Sequence, residues 1–362
     1  MTATSDLHAL GQSIWIDNIT RPMLDSGTLA RYIAEYDVTG LTSNPTIYDK
    51  AIGGSDAYDA EIKASTAAGT SHADTFFELA LGDLTRAADL FRPVHDGTDG
   101  VDGFVSLEVS PVLAYDTEQT LADAKRLHAK GGRPNLYIKI PGTPEGLGAI
   151  EESIFAGVPI NVTLLFSPTQ WLACADAYTR AIERRVAAGL DAHVASVASL
   201  FVSRWDGAVT DTVPADLRLQ LGLAVGRATY ADYVAFFASP RWAALEAKGA
   251  KPQRLLFAST GTKDPTASKV LYVDGLAAPD TVNTMPEDTL LALSASDVTI
   301  SPIPTDGTAA RELLARFEVA GIGIDDLGLQ LQQKGAASFV ASWESLMTRV
   351  AEKAAATAGS AA

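Results

Sequence analysis

Chemistry can be read most directly from one lysine, Lys139, in the run YIKIPGT (137–143). Tyr137, Ile138 and Ile140 flank it, and Pro141-Gly142 follow. On a β-strand such a lysine must pair with an acid, reach an edge, or lose solvation. Desolvation disfavours the ammonium form, so a neutral amine becomes available near neutral pH. A neutral amine can add to a sugar carbonyl and form a Schiff base. The competing reading is a strand-edge or salt-bridged lysine with a structural role.

Other polar residues fall where apolar runs end: Asp17, Asn44, Glu108, Asn161 with Thr163, Ser199, and Ser259 before Thr260-Gly261-Thr262-Lys263. Taken singly, each has a structural reading. Asp17-Asn18 could be a turn, Asn44-Pro45 a helix start, and Glu108 a solvated acid. Together they supply what a Schiff-base reaction needs. Lys139 would attack a ketose carbonyl, and Glu108 would move the protons for loss of water, directly or through a water held by Thr163. Asp17 would take the proton from the hydroxyl beyond the breaking carbon–carbon bond. Asn44, Asn161 and Ser199 would hold the hydroxyls of the remaining fragment. Two segments suit a phosphate. Arg204 in SLFVSRWD (199–206) can clamp its oxygens, although a salt bridge to Asp206 is an equal alternative. In FASTGTKDP (257–265), a small hydroxyl- and glycine-rich turn is followed by Lys263.

The elements that must position these residues alternate regularly. Strands are expected at 13–18, 38–44, 103–110, 135–141, 159–166, 195–203, 254–260 and 281–286. Helices are expected at 26–36, 117–130, 144–157, 167–189 and 231–249, with caps at Asp116 and Ser167. Eight strand–helix units are the count of an α/β, (β/α)8 TIM barrel, and an open doubly wound sheet is the alternative. Neither the dinucleotide-binding fingerprint nor the Walker phosphate loop occurs, which weakens the open-sheet reading. A helical insert at about 55–95 and a helical extension from about 308 are expected to surround one barrel, so residues 1–362 form a single domain. In a barrel the C-terminal ends of the strands carry the active site, and the polar set recurs at those ends. The alanine-rich AEKAAATAGSAA at 351–362 is expected to fray.

Composition narrows the partners. A net charge of −16 and a pI near 4.7 argue against a general nucleic-acid or anionic-membrane surface. They leave room for a small anionic metabolite read by a few local donors. The single cysteine, Cys174, excludes an intramolecular disulfide, fits a reducing compartment and is expected to pack in the core. The N-terminal segment has no secretory pattern, and no stretch of about twenty apolar residues occurs, so a cytoplasmic protein is expected. The five histidines are scattered, and no metal site or serine-hydrolase elbow is expected.

The segments GLTSNPTIYDKAI (40–52), SLEVSP (106–111), YIKIPGTPEG (137–146), GVPINVTLLFS (157–167), STGTKDP (259–265) and DTVNTMP (280–286) make the chain similar to transaldolase over about residues 11–350. The likeness is to the longer bacterial form within the class I aldolases. It implies a cofactor-free enzyme with its Schiff-base lysine on the fourth strand. Such an enzyme moves a dihydroxyacetone unit from sedoheptulose 7-phosphate to glyceraldehyde 3-phosphate in the pentose phosphate pathway, giving erythrose 4-phosphate and fructose 6-phosphate. The resemblance assigns catalysis to Lys139, Glu108, Asp17 and Thr163, and substrate binding to Asn44, Asn161, Ser199 and Arg204. Ser259 and Lys263 join the binding set, but Gly261 stands where many members carry a second phosphate arginine. Phe201 stands where the related simple aldolases have tyrosine, which favours transfer. A fructose 6-phosphate aldolase (a lyase) is the alternative, followed by a non-catalytic sugar-phosphate-binding barrel. Sugar phosphates are the expected partners, with a homodimer left open.

Overall fold

The structure is a computed structural model and describes residues 2–359. Its strands are β1 Ser13–Ile16, β2 Val38–Leu41, β3 Val105–Glu108, β4 Leu136–Pro141, β5 Ile160–Leu165, β6 Ser196–Phe201, β7 Arg254–Ala258 and β8 Val282–Met285. All ladders are parallel, in the order β2-β1-β8-β7-β6-β5-β4-β3. The ends of that series meet where Leu41 N–H donates to Phe104 O at 3.0 Å and Ser43 Oγ donates to Ser106 O at 2.8 Å. The architecture is a (β/α)8 barrel with additional helices. Nearly every strand residue is buried, because helices cover the outside and side chains fill the inside.

All eight expected strands occur, with trimmed ends. The run at 38–44 leaves the sheet after Leu41, since Asn44 turns to cap the helix Pro45–Gly53 and accepts from Ile47 N–H at 3.1 Å. The run at 195–203 stops at Phe201 because Ser203 opens the helix Ser203–Val209. One helix expectation needs correction. The stretch 231–249 is not continuous but divides into the end of Leu221–Phe237 and a second helix, Pro240–Glu246. Pro240 lacks the N–H that would continue the first helix, and Ser239 caps the second by accepting from Trp242 N–H.

The β2–β3 connection holds the helices Pro45–Gly53, Asp59–Ala67 and His72–Gly97. Buried Asp83 ties that insert to the β1 side, accepting from Arg21 Nε at 2.9 Å and Tyr58 OH at 3.0 Å. The last helix, Ile324–Gly359, returns across the barrel mouth, where Gln332 Nε2 donates to Gly142 O at 2.9 Å and Leu164 O at 3.0 Å. Residues 351–359 of the alanine-rich tail continue this helix, and Lys353 pairs with Asp59 at 2.5 Å. Residues 360–362 of that tail lie outside the described residues. Cys174 is fully buried. Among the described residues no helix is long and apolar enough to cross a membrane.

Closure of the barrel depends on one glycine. A Cβ on Gly40 would come within 2.6 Å of Trp15 Nε1 and 2.7 Å of Phe104 O, and the indole is itself held by Asp102 Oδ1 at 2.8 Å. Neither neighbour can yield: one is backbone and the other a bonded ring in the core. Gly40→Ala is therefore expected to destabilise the fold by about 1–3 kcal/mol through overpacking at the β2–β3 seam. Denaturant unfolding checks this, and an unaltered midpoint would show that the seam is slack.

Candidate active site

β-Strand alternation directs residues i and i+2 to one face, and three neighbouring strands bring Glu108, Lys139 and Asn161 into register. Lys139 is 5% exposed, and Nζ donates to Ser43 O at 3.0 Å. Glu108 Oε2 lies 3.5 Å from that nitrogen. The expectation of a lysine withdrawn from solvent at the barrel mouth is met; of the competing reading, the strand edge is not found but the salt bridge is, with Glu108. An acid nevertheless stands beside it, so burial is not its only influence.

Below the amine a chain of hydrogen bonds crosses the barrel. Ser199 Oγ donates to Asn161 Oδ1 at 2.7 Å, and Asn161 Nδ2 donates to Ser106 Oγ at 3.1 Å. Thr163, two residues further along β5, is fully buried, and its Oγ1 has no hydrogen-bond partner among protein atoms. Immediately afterwards Leu164 takes a φ of 60°, and the β5–β6 register slips between Val162 and Leu165. That bulge bends β5 at the mouth, and the paired carbonyls of Gly142 and Leu164 are bridged there by Gln332.

The two carboxyls are governed by their surroundings. Burial is the main influence on Glu108 and pushes its carboxyl up to about 7, against the opposing pull of Lys139. Among the described residues neither of its oxygens has a hydrogen-bond partner, apart from the longer ion-pair contact with the lysine. Burial likewise raises Asp17, while the Lys139 charge and a 2.8 Å hydrogen bond from Thr42 Oγ1 act the other way. Thr42 also shares a 2.8 Å hydroxyl–hydroxyl contact with Thr284 of β8.

One cleft gathers most of the residues singled out from the sequence. Asp17, Asn44, Lys139, Thr163, Ser199, Phe201, Arg204, Ser259 and Lys263 all line it. Asn161 and Glu108 do not. Asn161 lies in the layer beneath, and Glu108 faces a small pocket behind the lysine with Ser43, Asn44 and Trp343. Asn44 has two tasks open to it: Oδ1 caps the helix, and Nδ2 carries no other bond among the described residues. Ser259 has a φ of 56° and shares a 2.9 Å hydroxyl contact with Ser203.

Arg204 does not pair with Asp206, which instead accepts from Leu221 N–H, Gly222 N–H and Tyr272 OH at 2.9, 3.1 and 2.8 Å. The guanidinium carbon lies over Phe201 at 5.0 Å from the ring centre and over Phe339 at 5.9 Å. It has no ion-pair partner among the described residues, so its N–H groups stay free for an anion. Gly261 lines the cleft as sequence comparison suggested, and Lys263 is exposed nearby.

Sequence reasoning missed Thr42, Thr46, Lys50, Thr284 and Phe339, all of which line the same cleft. Lys50 could have been found, because it lies one helical turn beyond Thr46 in the segment that Asn44 caps. Phe339 could not, since nothing local marks which face of a 36-residue helix meets the barrel. The described residues hold no cluster of three or more metal-ligating side chains.

Comparison with known proteins agrees with this geometry. The family model described as transaldolase/fructose-6-phosphate aldolase matches residues 14–350. A transaldolase of Saccharopolyspora erythraea is 44% identical over 98% of this chain and 99% of its own length. That of Thermobifida fusca is 45% identical over 96% of both chains, and that of Neisseria gonorrhoeae is 41% identical over 96% and 99%. With a buried lysine on β4 facing one acid and sharing a cleft with a second, and with likeness extending along nearly the whole sequence, the chain belongs to the transaldolase/fructose-6-phosphate aldolase family.

Proposed function

We propose the following course for the transaldolase reaction that family membership gives this chain. The observation that carries it is the Lys139 amine, buried at the barrel mouth 3.5 Å from Glu108 in a cleft shared with Asp17. Nζ gives a proton to Glu108 and adds to the ketose carbonyl of sedoheptulose 7-phosphate. One proton passes from the added nitrogen to the former carbonyl oxygen, giving the carbinolamine; Glu108 returns the other to that oxygen, which departs as water and leaves the imine. A carboxyl raised to about 7 suits both directions of that transfer. The unpartnered Thr163 hydroxyl and Glu108 oxygens suit a water as carrier between them.

Asp17 then removes the proton of the C4 hydroxyl, the C3–C4 bond breaks, and erythrose 4-phosphate leaves. The bonding pair remains on the lysine-bound fragment as an enamine. Asn44 and Ser199 hold its hydroxyls, with Asn161 fixing Ser199 from below. The enamine attacks the aldehyde of glyceraldehyde 3-phosphate, Asp17 returns its proton to the new hydroxyl, and hydrolysis of the imine releases fructose 6-phosphate. Transfer requires the enamine to outlast departure of the first aldehyde. Phe201, without a proton to offer, supports that requirement. Arg204 reads the phosphate with Ser259, and Lys263 supplies a second charge in place of the arginine absent at Gly261, with Lys50 on the facing helix. The reading extends to one domain, supported by the Gln332 bridge from the last helix to the barrel, and to a cytoplasmic site of action, supported by the buried free Cys174.

Borohydride reduction with fructose 6-phosphate is expected to fix a covalent adduct on Lys139, and Lys139→Ala to abolish turnover; a reduced enzyme of unchanged mass would remove the Schiff base altogether. Dihydroxyacetone release without an aldehyde acceptor should be far slower than transfer, and comparable rates would favour the aldolase alternative. Lys263→Ala is expected to raise KM for phosphorylated donors about tenfold with kcat nearly unchanged. Should Lys50→Ala do this instead, the second charge belongs to Lys50.

Proton linkage supplies a separate check. Between 4.5 and about 7 the folded chain keeps a proton on Glu108 that the unfolded chain releases. The stability this contributes is complete below pH 4.5 and lost as pH rises through about 7. Glu108→Gln removes the dependence. Its stability relative to the parent should be greater at pH 8 than at pH 5, by up to about 3 kcal/mol. Denaturant titrations that give one constant difference at both values would contradict the raised carboxyl.

A further inference from the structure

The last helix presents Gly328, Gln332, Gly335 and Phe339 at spacings of four, three and four, which is one stripe of a helix. Each meets the barrel mouth. Gln332 is buried and bridges the ends of β4 and β5. A Cβ on Gly328 would lie 3.1 Å from Ser167 Cβ. On Gly335 it would lie 2.9 Å from Leu164 Cδ2 and 3.2 Å from Arg204 Nη1. Phe339 has the Arg204 guanidinium over its ring.

A glycine inside a helix weakens it relative to alanine, so the space at Gly335 needs a reason, and the arginine beside it supplies one. Arg204 has no acid to hold it, because Asp206 is occupied by two backbone N–H groups and a tyrosine. An acid would compete with a phosphate for the same N–H groups. Packing must therefore define where a long and otherwise mobile side chain sits. The surfaces available are Phe201 on the strand side, and Gly335 and Phe339 on the helix side.

We propose that Gly335 and Phe339 of the C-terminal helix are positioning residues for Arg204 and so set the preference for phosphorylated over unphosphorylated sugars. This rests on the reading of Arg204 as the phosphate ligand. The helix acts on substrate choice only through the arginine and leaves the chemistry at Lys139 alone.

The test compares fructose 6-phosphate with fructose as donor in the full-length enzyme, measuring kcat and KM for each. Gly335→Ala and Phe339→Leu are expected to lower kcat/KM for fructose 6-phosphate about tenfold, mainly through KM, and to change that for fructose by less than about twofold. Phe339→Tyr, which keeps the ring, should retain the parent's preference. Equal losses with both donors, or no loss with either, would overturn the proposal. Arg204→Met separates the two levels of the argument. If it abolishes the preference while the helix variants keep it, the helix inference alone fails; if it leaves the preference intact, the phosphate reading fails first.

Discussion

The structure is organised around the cost of taking an amine and two carboxyls out of water at one end of the barrel, Lys139 and Asp17 in the cleft and Glu108 behind the lysine. Each ionised group would be strongly destabilised alone. When they are placed together, the lysine lowers both acids while burial raises them, and the Asp17 charge adds to the rise at Glu108. The balance pushes the Glu108 carboxyl up to about 7, with an oxygen 3.5 Å from the Lys139 nitrogen. A closed barrel suits this because its inner side chains are excluded from water laterally and open only at one end.

Holding such groups still requires neutral polar residues with definite partners. Ser199, Asn161 and Ser106 form one such line beneath the amine, and Thr284, Thr42 and Asp17 form another along the β8–β2 side. The Thr163 hydroxyl and Glu108 oxygens break the pattern by lacking partners. Unsatisfied buried polar atoms are rare in native proteins; among those of this structure, the Glu108 oxygens lie beside the Lys139 nitrogen and Thr163 lines the cleft with it.

Charge is divided by distance. The chain carries −16 overall, yet the cleft is lined by Lys139, Arg204, Lys263 and Lys50. At physiological ionic strength interactions between exposed charges fade beyond about 8 Å, so a small phosphate responds to those cations rather than to the acidic exterior. The barrel strands supply Glu108, Lys139, Asn161 and Ser199, whereas the helices after β2 and β6, the turn after β7 and the C-terminal helix supply Lys50, Arg204, Lys263 and Phe339.

The sequence determined a good deal by itself. Alternating apolar runs and amphipathic stretches made eight strands legible, and polar residues at the ends of those runs marked much of the cleft lining, because strand periodicity and the rarity of lysine in apolar runs are local properties. Local signals misjudged what depends on neighbours. Asn44 left its strand to cap a helix, and the 231–249 stretch broke at Pro240. Between a free Arg204 and a salt bridge to Asp206 the local sequence left the choice open, and the two took separate partners. Only the tertiary structure decided that Glu108 stands behind the lysine rather than in the cleft, that Thr42 holds Asp17, and that Phe339, 135 residues after Arg204, closes over it. Those relations join elements distant in the chain, and which face of a long helix meets which strand end is set by packing of the whole barrel, not by any spacing within the helix.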